Sequence, residues 1–274
     1  NASGPSAMAI IDTRLDQIVR VMPTGPLPKM VAVSPDNRLL AVTHWGDNTI
    51  GLIDISSQNP QDFTYTKHLV VESKLNTAGL SGNRDNNCGY CLRGTVFTPD
   101  GRYLLVGRMA GGGVAVFALP TGEYLGSFES FSPTPRHLII DPSGQYLYAS
   151  DSKNGLVARV SLAEAIKSLA EKPGRSRPGP KGESLKVGAL PRTIALSPDG
   201  KNLYVSVHGD SRLVRVDTQK WQVVDGLQVC PFPVGLGVSP DGKFIGLTSQ
   251  GRLLKDSESP GYSGGNSVEF YALN

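Results

Sequence analysis

The sequence lacks most of the features that mark a specialised chain. It has three cysteines in 274 residues, an odd and low number that excludes a disulfide framework as the basis of the fold. No run approaches the roughly 18 apolar residues of a membrane-crossing helix, so no span is written in it. The formal charge of +3, from 27 basic and 24 acidic residues, is too small to call for nucleic acid as a partner. There is no Gly-x-Ser-x-Gly elbow, no phosphate-binding P-loop and no His-Glu-x-x-His zinc motif.

Turn formers, by contrast, are abundant. The 32 glycines and 20 prolines make up about a fifth of the chain, against a usual share near an eighth. That suits short strands joined by turns and argues against a helix bundle. Five tetrapeptides share one chemistry: Ser34-Pro-Asp-Asn37, Thr98-Pro-Asp-Gly101, Asp141-Pro-Ser-Gly144, Ser197-Pro-Asp-Gly200 and Ser239-Pro-Asp-Gly242. Proline presets φ, Asp or Ser bonds back to the backbone, and Gly or Asn tolerates positive φ.

Each turn has a short apolar run before it (30–33, 94–97, 138–140, 193–196, 236–238) and another after it (39–43, 103–107, 146–150, 203–207, 244–248), which is a hairpin of half-buried strands. A third strand follows at 49–55, 114–119, 156–160, 213–217 and 267–273, and a fourth at 67–71, 124–128, 184–187 and 222–229. Four antiparallel strands per repeat make a propeller blade. The expected fold is therefore an all-β propeller, a single domain over 1–274, with five repeats plus part of another.

The turn prolines are 64, 43, 56 and 42 residues apart, so a base period near 42 is interrupted twice. The insertions are 72–90 and 163–183. The second has a helical pattern over 163–171 and then Pro173-Gly-Arg-Ser-Arg-Pro-Gly-Pro180. Arg175, Arg177 and Lys181 make that stretch basic, and it reads as a solvated surface loop.

The first residues extend the pattern. Residues 9–13 match a third strand, 17–21 a fourth, and Gly25-Pro26-Leu27-Pro28 the linker into the first full repeat. The expectation is a chain that starts mid-blade, a portion of a longer polypeptide, with six or seven blades in the complete ring. The alternative is a five-bladed ring in which 17–21 closes the last blade; it leaves 9–13 surplus.

The Ser-Pro-Asp-Gly turn, the strand Asn202-Leu-Tyr-Val-Ser206, the strand Leu213-Val-Arg-Val-Asp-Thr218 and the linker Val187-Gly-Ala-Leu-Pro191 together resemble the YVTN-repeat β-propeller family, which is lactonase-like. The resemblance covers almost the whole chain. It implies the fold; for function it implies a choice among lactonase-like enzymes, subunits of periplasmic redox complexes, and binding or scaffolding proteins. It also implies an exported bacterial protein, periplasmic or secreted.

Repeat alignment nominates a site. Six residues before each turn proline the chain reads Lys29, Arg93, Arg136, Arg192 and Val234; nine and ten residues after it stand His44 with Trp45, Arg108 with Met109, and His208. Equivalent positions share a radius, so Lys29, Arg93, Arg136 and Arg192 are expected to ring one channel mouth, with His44, Trp45, Arg108 and His208 beside them. Such a face suits an anionic small molecule or an acidic segment of a protein partner. Cations that pair with nearby Asp and merely finish the loops are the competing reading.

The stretch Pro135-Arg-His137 is similar to the Pro-Arg-His segment of 6-phosphogluconolactonase-type propellers. That similarity implies Arg136 as a polarising cation and His137 as a general base in a lactone hydrolase. No second such pair is present, and the expected acidic partner is not identifiable.

Cys88-Gly-Tyr-Cys91 lacks the histidine of a c-type haem site, since Leu92 follows. Zinc needs four ligands, and only Cys230 remains. A Cys88 to Cys91 disulfide, free thiols and a soft-metal or redox site stay open. No cofactor and no metal are expected, and the chain leans toward a binding protein rather than an enzyme.

Overall fold

The computed structural model describes residues 6–76, 87–170, 173–174, 176–251 and 266–273; Arg175 of the basic loop and residues 77–86 of the first insertion lie outside them. The described residues form 21 strands and one α-helix. The strands make six antiparallel sheets. Four are complete blades: β3(Pro28–Val33), β4(Leu39–His44), β5(Thr49–Asp54) and β6(Thr64–Val70); β7(Leu92–Phe97), β8(Tyr103–Arg108), β9(Val114–Ala118) and β10(Glu123–Phe128); β11(Pro135–Ile140), β12(Tyr146–Asp151), β13(Leu156–Ser161) and β14(Glu183–Lys186); β15(Pro191–Leu196), β16(Asn202–Val207), β17(Arg212–Asp217) and β18(Gln222–Gln228). The fifth repeat has three strands, β19(Pro233–Val238), β20(Phe244–Ser249) and β21(Ser267–Ala272). The pair β1(Ser6–Asp12) and β2(Gln17–Thr24) forms a sheet of its own. Residues 17–21 bond to β1 in antiparallel register.

The turn tetrapeptides work as their chemistry demands. Ser34, Thr98, Ser197 and Ser239 donate their hydroxyls to Asp36, Asp100, Asp199 and Asp241, each at 2.6 Å. The fourth residue of every turn has positive φ, from 56° at Asn37 to 71° at Gly144, Gly200 and Gly242, which is why only Gly or Asn stands there. At the ends of third strands, Asp12, Asp54 and Asp217 accept backbone N–H groups two residues on, at 2.8 to 2.9 Å. They cap turns.

The chain divides into two compact units, residues 1–133 with 163–180, and residues 134–162 with 181–274. In the first, apolar side chains of β4, β5, β7, β8 and β9, among them Ile50, Leu52, Leu92, Leu104 and Phe117, close a buried core between two blades. Met22 of β2 packs with Val42 and Ile53, seating the two-stranded sheet on the first full blade. In the second unit Tyr148, Ile194, Val205 and Val214 fill one inter-blade layer, and Tyr204, Leu213, Ile245 and Leu247 the next. Each such buried side chain contributes roughly 1.5–3 kcal/mol.

The second insertion departs from the solvated loop expected of it. After α1(Leu162–Ala170) the chain runs along β10: Arg177 N–H donates to Ser127 O at 2.9 Å and Glu129 N–H to Arg177 O at 3.0 Å. β10 is the outer edge of its blade, and an exposed edge leaves peptide groups unpaired. The insertion covers that edge, and Arg177 is half-buried.

Candidate functional site

Every inner strand is bulged at the same place. In β3 the ladder pairs Pro28 with His44 and then Met30 with Thr43, leaving Lys29 as the extra residue. Arg93 in β7, Arg136 in β11, Arg192 in β15 and Val234 in β19 fall in the same register shift. A bulge bends its strand and re-aims the side chain it carries. The repeat therefore takes the cations out of the regular ladder, something that counting positions did not reveal.

A second-strand hydroxyl braces the bulge in four of the five repeats. Eight residues after the turn proline the chain reads Thr43, Gly107, Ser150, Ser206 and Thr248. Thr43 Oγ1 donates to Arg93 O at 3.2 Å and Ser150 Oγ to Arg192 O at 2.5 Å, both in the following blade. Ser206 Oγ donates to Thr193 O at 3.0 Å and accepts Thr193 N–H at 2.9 Å, while Thr193 Oγ1 donates to Val234 O of the following blade at 2.6 Å. These residues were not singled out from sequence. The recurrence of hydroxyls at one offset was the available signal.

In the first unit, Lys29 Nζ lies 5.4 Å and Arg93 Cζ 5.8 Å from the Trp45 ring centroid. Trp45 is 8% exposed and packs with Cys88, Cys91, Leu27 and Met109. Cys88 and Cys91 are joined as a disulfide, their Cα atoms 4.8 Å apart. Cys230, in the second unit, is a free, half-buried thiol whose backbone N–H donates to Glu269 at 3.2 Å.

In the second unit, an Arg192 guanidinium nitrogen lies 3.0 Å from His208 Nε2, and His208 Nδ1 lies 3.2 Å from Pro233 O. The carbonyl only accepts, so Nδ1 carries the proton and Nε2 accepts from Arg192. Phe232 packs 5.1 Å from the imidazole. Burial first, then the charges of Arg192 and Arg136, push the His208 pKa down. Burial also lowers that of Arg192. Lys29 and Arg93 belong to one unit, Arg136 and Arg192 to the other; the first two lie near the Trp45 ring, and Arg192 bonds to the His208 imidazole.

Two nominated residues serve the interior instead. His44, expected at the mouth, is fully buried. Its Nε2 accepts Gly25 N–H at 3.1 Å and its Nδ1–H donates to Thr49 Oγ1 at 2.7 Å, which in turn donates to Asp47 at 2.6 Å. A Cβ on residue 25 would fall 2.7 Å from Cγ of the ring and closer still to Nδ1, which accounts for glycine in that linker. Burial pushes the His44 pKa down to about 4, so the ring is neutral near pH 7 and both nitrogens are committed.

Arg108 is 4% exposed along its side chain and sits 4.2 Å from the Tyr90 ring. Its guanidinium reaches Glu72 at 3.4 Å, Glu129 at 3.7 Å and Ser176 Oγ at 2.9 Å. Tyr90 donates to Glu72, and burial followed by that bond pushes its phenol up to about 12. Burial acts to raise Glu72, but hydrogen bonds from Tyr90 and Ser176 and the Arg108 charge outweigh it and hold the carboxyl low. Arg108 thus ties both insertions to β8 rather than facing a ligand.

At the lactonase-like segment, His137 Nδ1 accepts Ile194 N–H at 3.4 Å. A neutral imidazole with Nδ1 accepting carries its proton on Nε2, which leaves no lone pair there to take a proton from water. Among the described residues no group of three or more His, Cys, Asp or Glu is arranged to hold a metal ion, and no helix is long and apolar enough to cross a membrane.

The fold matches known proteins. Antigen Lp49 of Leptospira interrogans serogroup Icterohaemorrhagiae serovar copenhageni (strain Fiocruz L1-130) is 22% identical over 245 residues, covering 81% of this chain and 45% of its own length. Hydrazine synthase subunit beta of Kuenenia stuttgartiensis is 25% identical over 248 residues, covering 78% and 59%. The chain spans about half the length of these curated relatives. Among solved structures, a functionally unknown protein of Desulfotomaculum acetoxidans DSM 771 superposes with a TM-score of 0.65 at 14% identity over 89% of this chain and 70% of the other. Kuenenia stuttgartiensis hydrazine synthase does so with 0.59 at 15% identity over 97% and 89%. The model of the lactonase family, seven-bladed β-propellers, matches residues 4–251, and the chain belongs to that family.

Proposed function

We propose that this chain is a non-catalytic binding or scaffolding propeller whose bulge-borne cations, Lys29 and Arg93 in one unit and Arg136 and Arg192 in the other, each give their unit a basic face for an anionic ligand or an acidic segment of a protein partner. The observation that carries this reading is the coincidence of a cation with the inner-strand bulge in four of five repeats. A bulge that only relieved twist would need no particular side chain, as Val234 in β19 illustrates. Trp45 and His208 supply the aromatic and polar surroundings; His44 and Arg108 are committed internally and leave the set.

Hydrolysis of sugar lactones through Arg136 and His137 is the weaker reading, because the His137 lone pair is spent on Ile194 N–H. A place as a subunit in an extracytoplasmic redox complex is favoured by the relative that is a subunit of hydrazine synthase. In that case the basic face docks a partner subunit. The Cys88–Cys91 disulfide supports a periplasmic or secreted setting, since oxidising compartments preserve such bonds.

Two assays on one preparation separate these readings. Equilibrium binding of inorganic phosphate and succinate is expected to weaken in the charge-reversed Arg136→Glu/Arg192→Glu variant, and turnover of simple and phosphorylated sugar lactones is expected to be absent. Unchanged binding in that variant, or turnover lost on His137→Ala, overturns the proposal.

A further inference from the structure

The third and fourth blades carry a polar pair where the other repeats are apolar. Six residues after each turn proline the second strand faces the third, and the partners there are Ala41 with Leu52, Leu105 with Val116, Tyr148 with Arg159, Tyr204 with Arg215, and Gly246 with Phe270. Apolar residues alone therefore close a blade at this place. Tyr148 and Tyr204 are buried, at 2% and 6% exposed, so a tyrosine beside an arginine, twice, asks for a reason other than folding.

Each arginine is locked by a carboxylate of the fourth strand. Arg159 Nε and Nη2 donate to Glu183 at 3.1 Å, and Arg215 does the same to Asp225 at 2.6 to 3.2 Å. Arg159 Cζ also lies 5.1 Å from the Tyr146 ring and 4.4 Å from that of Trp221. Tyr148, Arg159 and Thr218 line a cleft of about 320 Å3 between the third and fourth blades, and the Tyr204–Arg215 pair lines another, of about 460 Å3, between the fourth and the fifth repeat. Clefts of this size suit small molecules.

The lining of the first cleft is balanced in charge. Two carboxylates, Asp141 and Asp199, are matched by two cations, Arg159 and Lys201, which favours neither a free anion nor a free cation. Asp199 spends Oδ1 on its own turn, and its Oδ2 stands 3.7 Å from Lys201 Nζ. Gln145 and Gln219, both exposed, add amides that donate and accept, and Tyr146 adds an amphipathic ring. Donors interleaved with acceptors match a ligand whose every polar group does both, a set of hydroxyls. The tyrosine matches the C–H face of the ring that carries them.

We propose that this cleft binds a neutral saccharide, its hydroxyls held by Asp199, Lys201, Gln145 and Gln219 and its ring face laid on Tyr146. The site is separate from the bulge-borne cations of the same unit: Arg136 and Arg192 stand at the start of β11 and β15, whereas Asp141 and Asp199 follow the ends of those six-residue strands. The inference therefore does not depend on the basic-face reading.

The test is calorimetric titration of the chain with glucose, N-acetylglucosamine and maltose, and with succinate and putrescine as charged probes. At least one of the three sugars is expected to bind at millimolar concentration, and Gln145→Ala/Gln219→Ala, which alters two exposed side chains, is expected to weaken it about tenfold. Tyr146→Ala is expected to weaken it further, its urea midpoint reporting whether the blade is intact, while the glutamine variant keeps the parent's midpoint. Sugar binding that is equal in the parent and in the glutamine variant overturns the site, as does the absence of binding by all three sugars. Succinate or putrescine binding that the glutamine variant loses, with no sugar bound, would return the cleft to a charged ligand and overturn the saccharide.

Discussion

Ser150 Oγ donates to the carbonyl oxygen of Arg192 at 2.5 Å, from one blade to the next, while accepting the backbone N–H of His137 at 3.2 Å. One hydroxyl thus fixes the bulge of its own inner strand and that of its neighbour. Ser150→Ala leaves a buried carbonyl and an N–H without this partner and is expected to cost about 1–2 kcal/mol. Urea denaturation measures that loss, and oxyanion binding attributable to Arg192 is expected to weaken with it. A variant as stable as the parent would mean that the bulge is held by other contacts.

His44 makes stability depend on pH. Its pKa falls from an ordinary 6.5 to about 4 in the folded chain. Below pH 6.5 the unfolded chain therefore takes up a proton that the folded chain refuses. Stability is expected to be full above that pH, to fall as pH drops toward 4, and then to level off, a loss on the order of 3 kcal/mol from this residue. Denaturation midpoints from pH 7.5 to 4 in the parent and in His44→Gln check this, the variant showing a flatter profile over that window.

Arg108 is held by unequal partners. Glu72 is 34% exposed and bonded to Tyr90 and Ser176, whereas Glu129 is 48% exposed. Arg108→Met strands the Glu72 carboxylate and is expected to cost about 2 kcal/mol. Glu129→Gln removes an exposed, longer contact and is expected to cost less than about 0.5 kcal/mol. Equal effects in thermal or urea denaturation would contradict the inner role given to Glu72.

The Cys88–Cys91 bridge closes a short loop beneath Trp45. Chain-entropy reasoning for so few residues gives roughly 2 kcal/mol. Intact-mass measurement without reductant is expected to find the chain lighter by two hydrogens than after reduction, and the reduced chain is expected to unfold at lower urea and to show altered Trp45 fluorescence. An unchanged mass on reduction would return these cysteines to free thiols.

The blades were legible because their determinants are local. Ser197, Asp199 and Gly200 make a turn from chemistry contained in four residues, and the apolar runs on either side set the strands. The bulges were not legible, since a register shift at Arg93 or Arg136 depends on which residue of the facing strand finds a partner. Repeat alignment put the four cations at equivalent positions just before each inner strand, whereas they lie within β3, β7, β11 and β15, and it placed His44 and Arg108 at a surface. Both are interior for non-local reasons: Gly25 approaches the His44 ring across 19 residues, and Ser176 reaches Arg108 across 68. The basic loop failed in the same way, because the need of β10 for an edge partner is invisible in the loop's own composition.

One diffraction experiment bears on everything above: crystals of the chain soaked with phosphate or succinate at concentrations that saturate binding in solution. Difference density for the anion is expected within hydrogen-bond reach of Lys29 and Arg93 beside Trp45, or of Arg136 and Arg192 beside His208. Anion density only away from these four cations, or none at saturating concentration, would contradict a basic, anion-holding face.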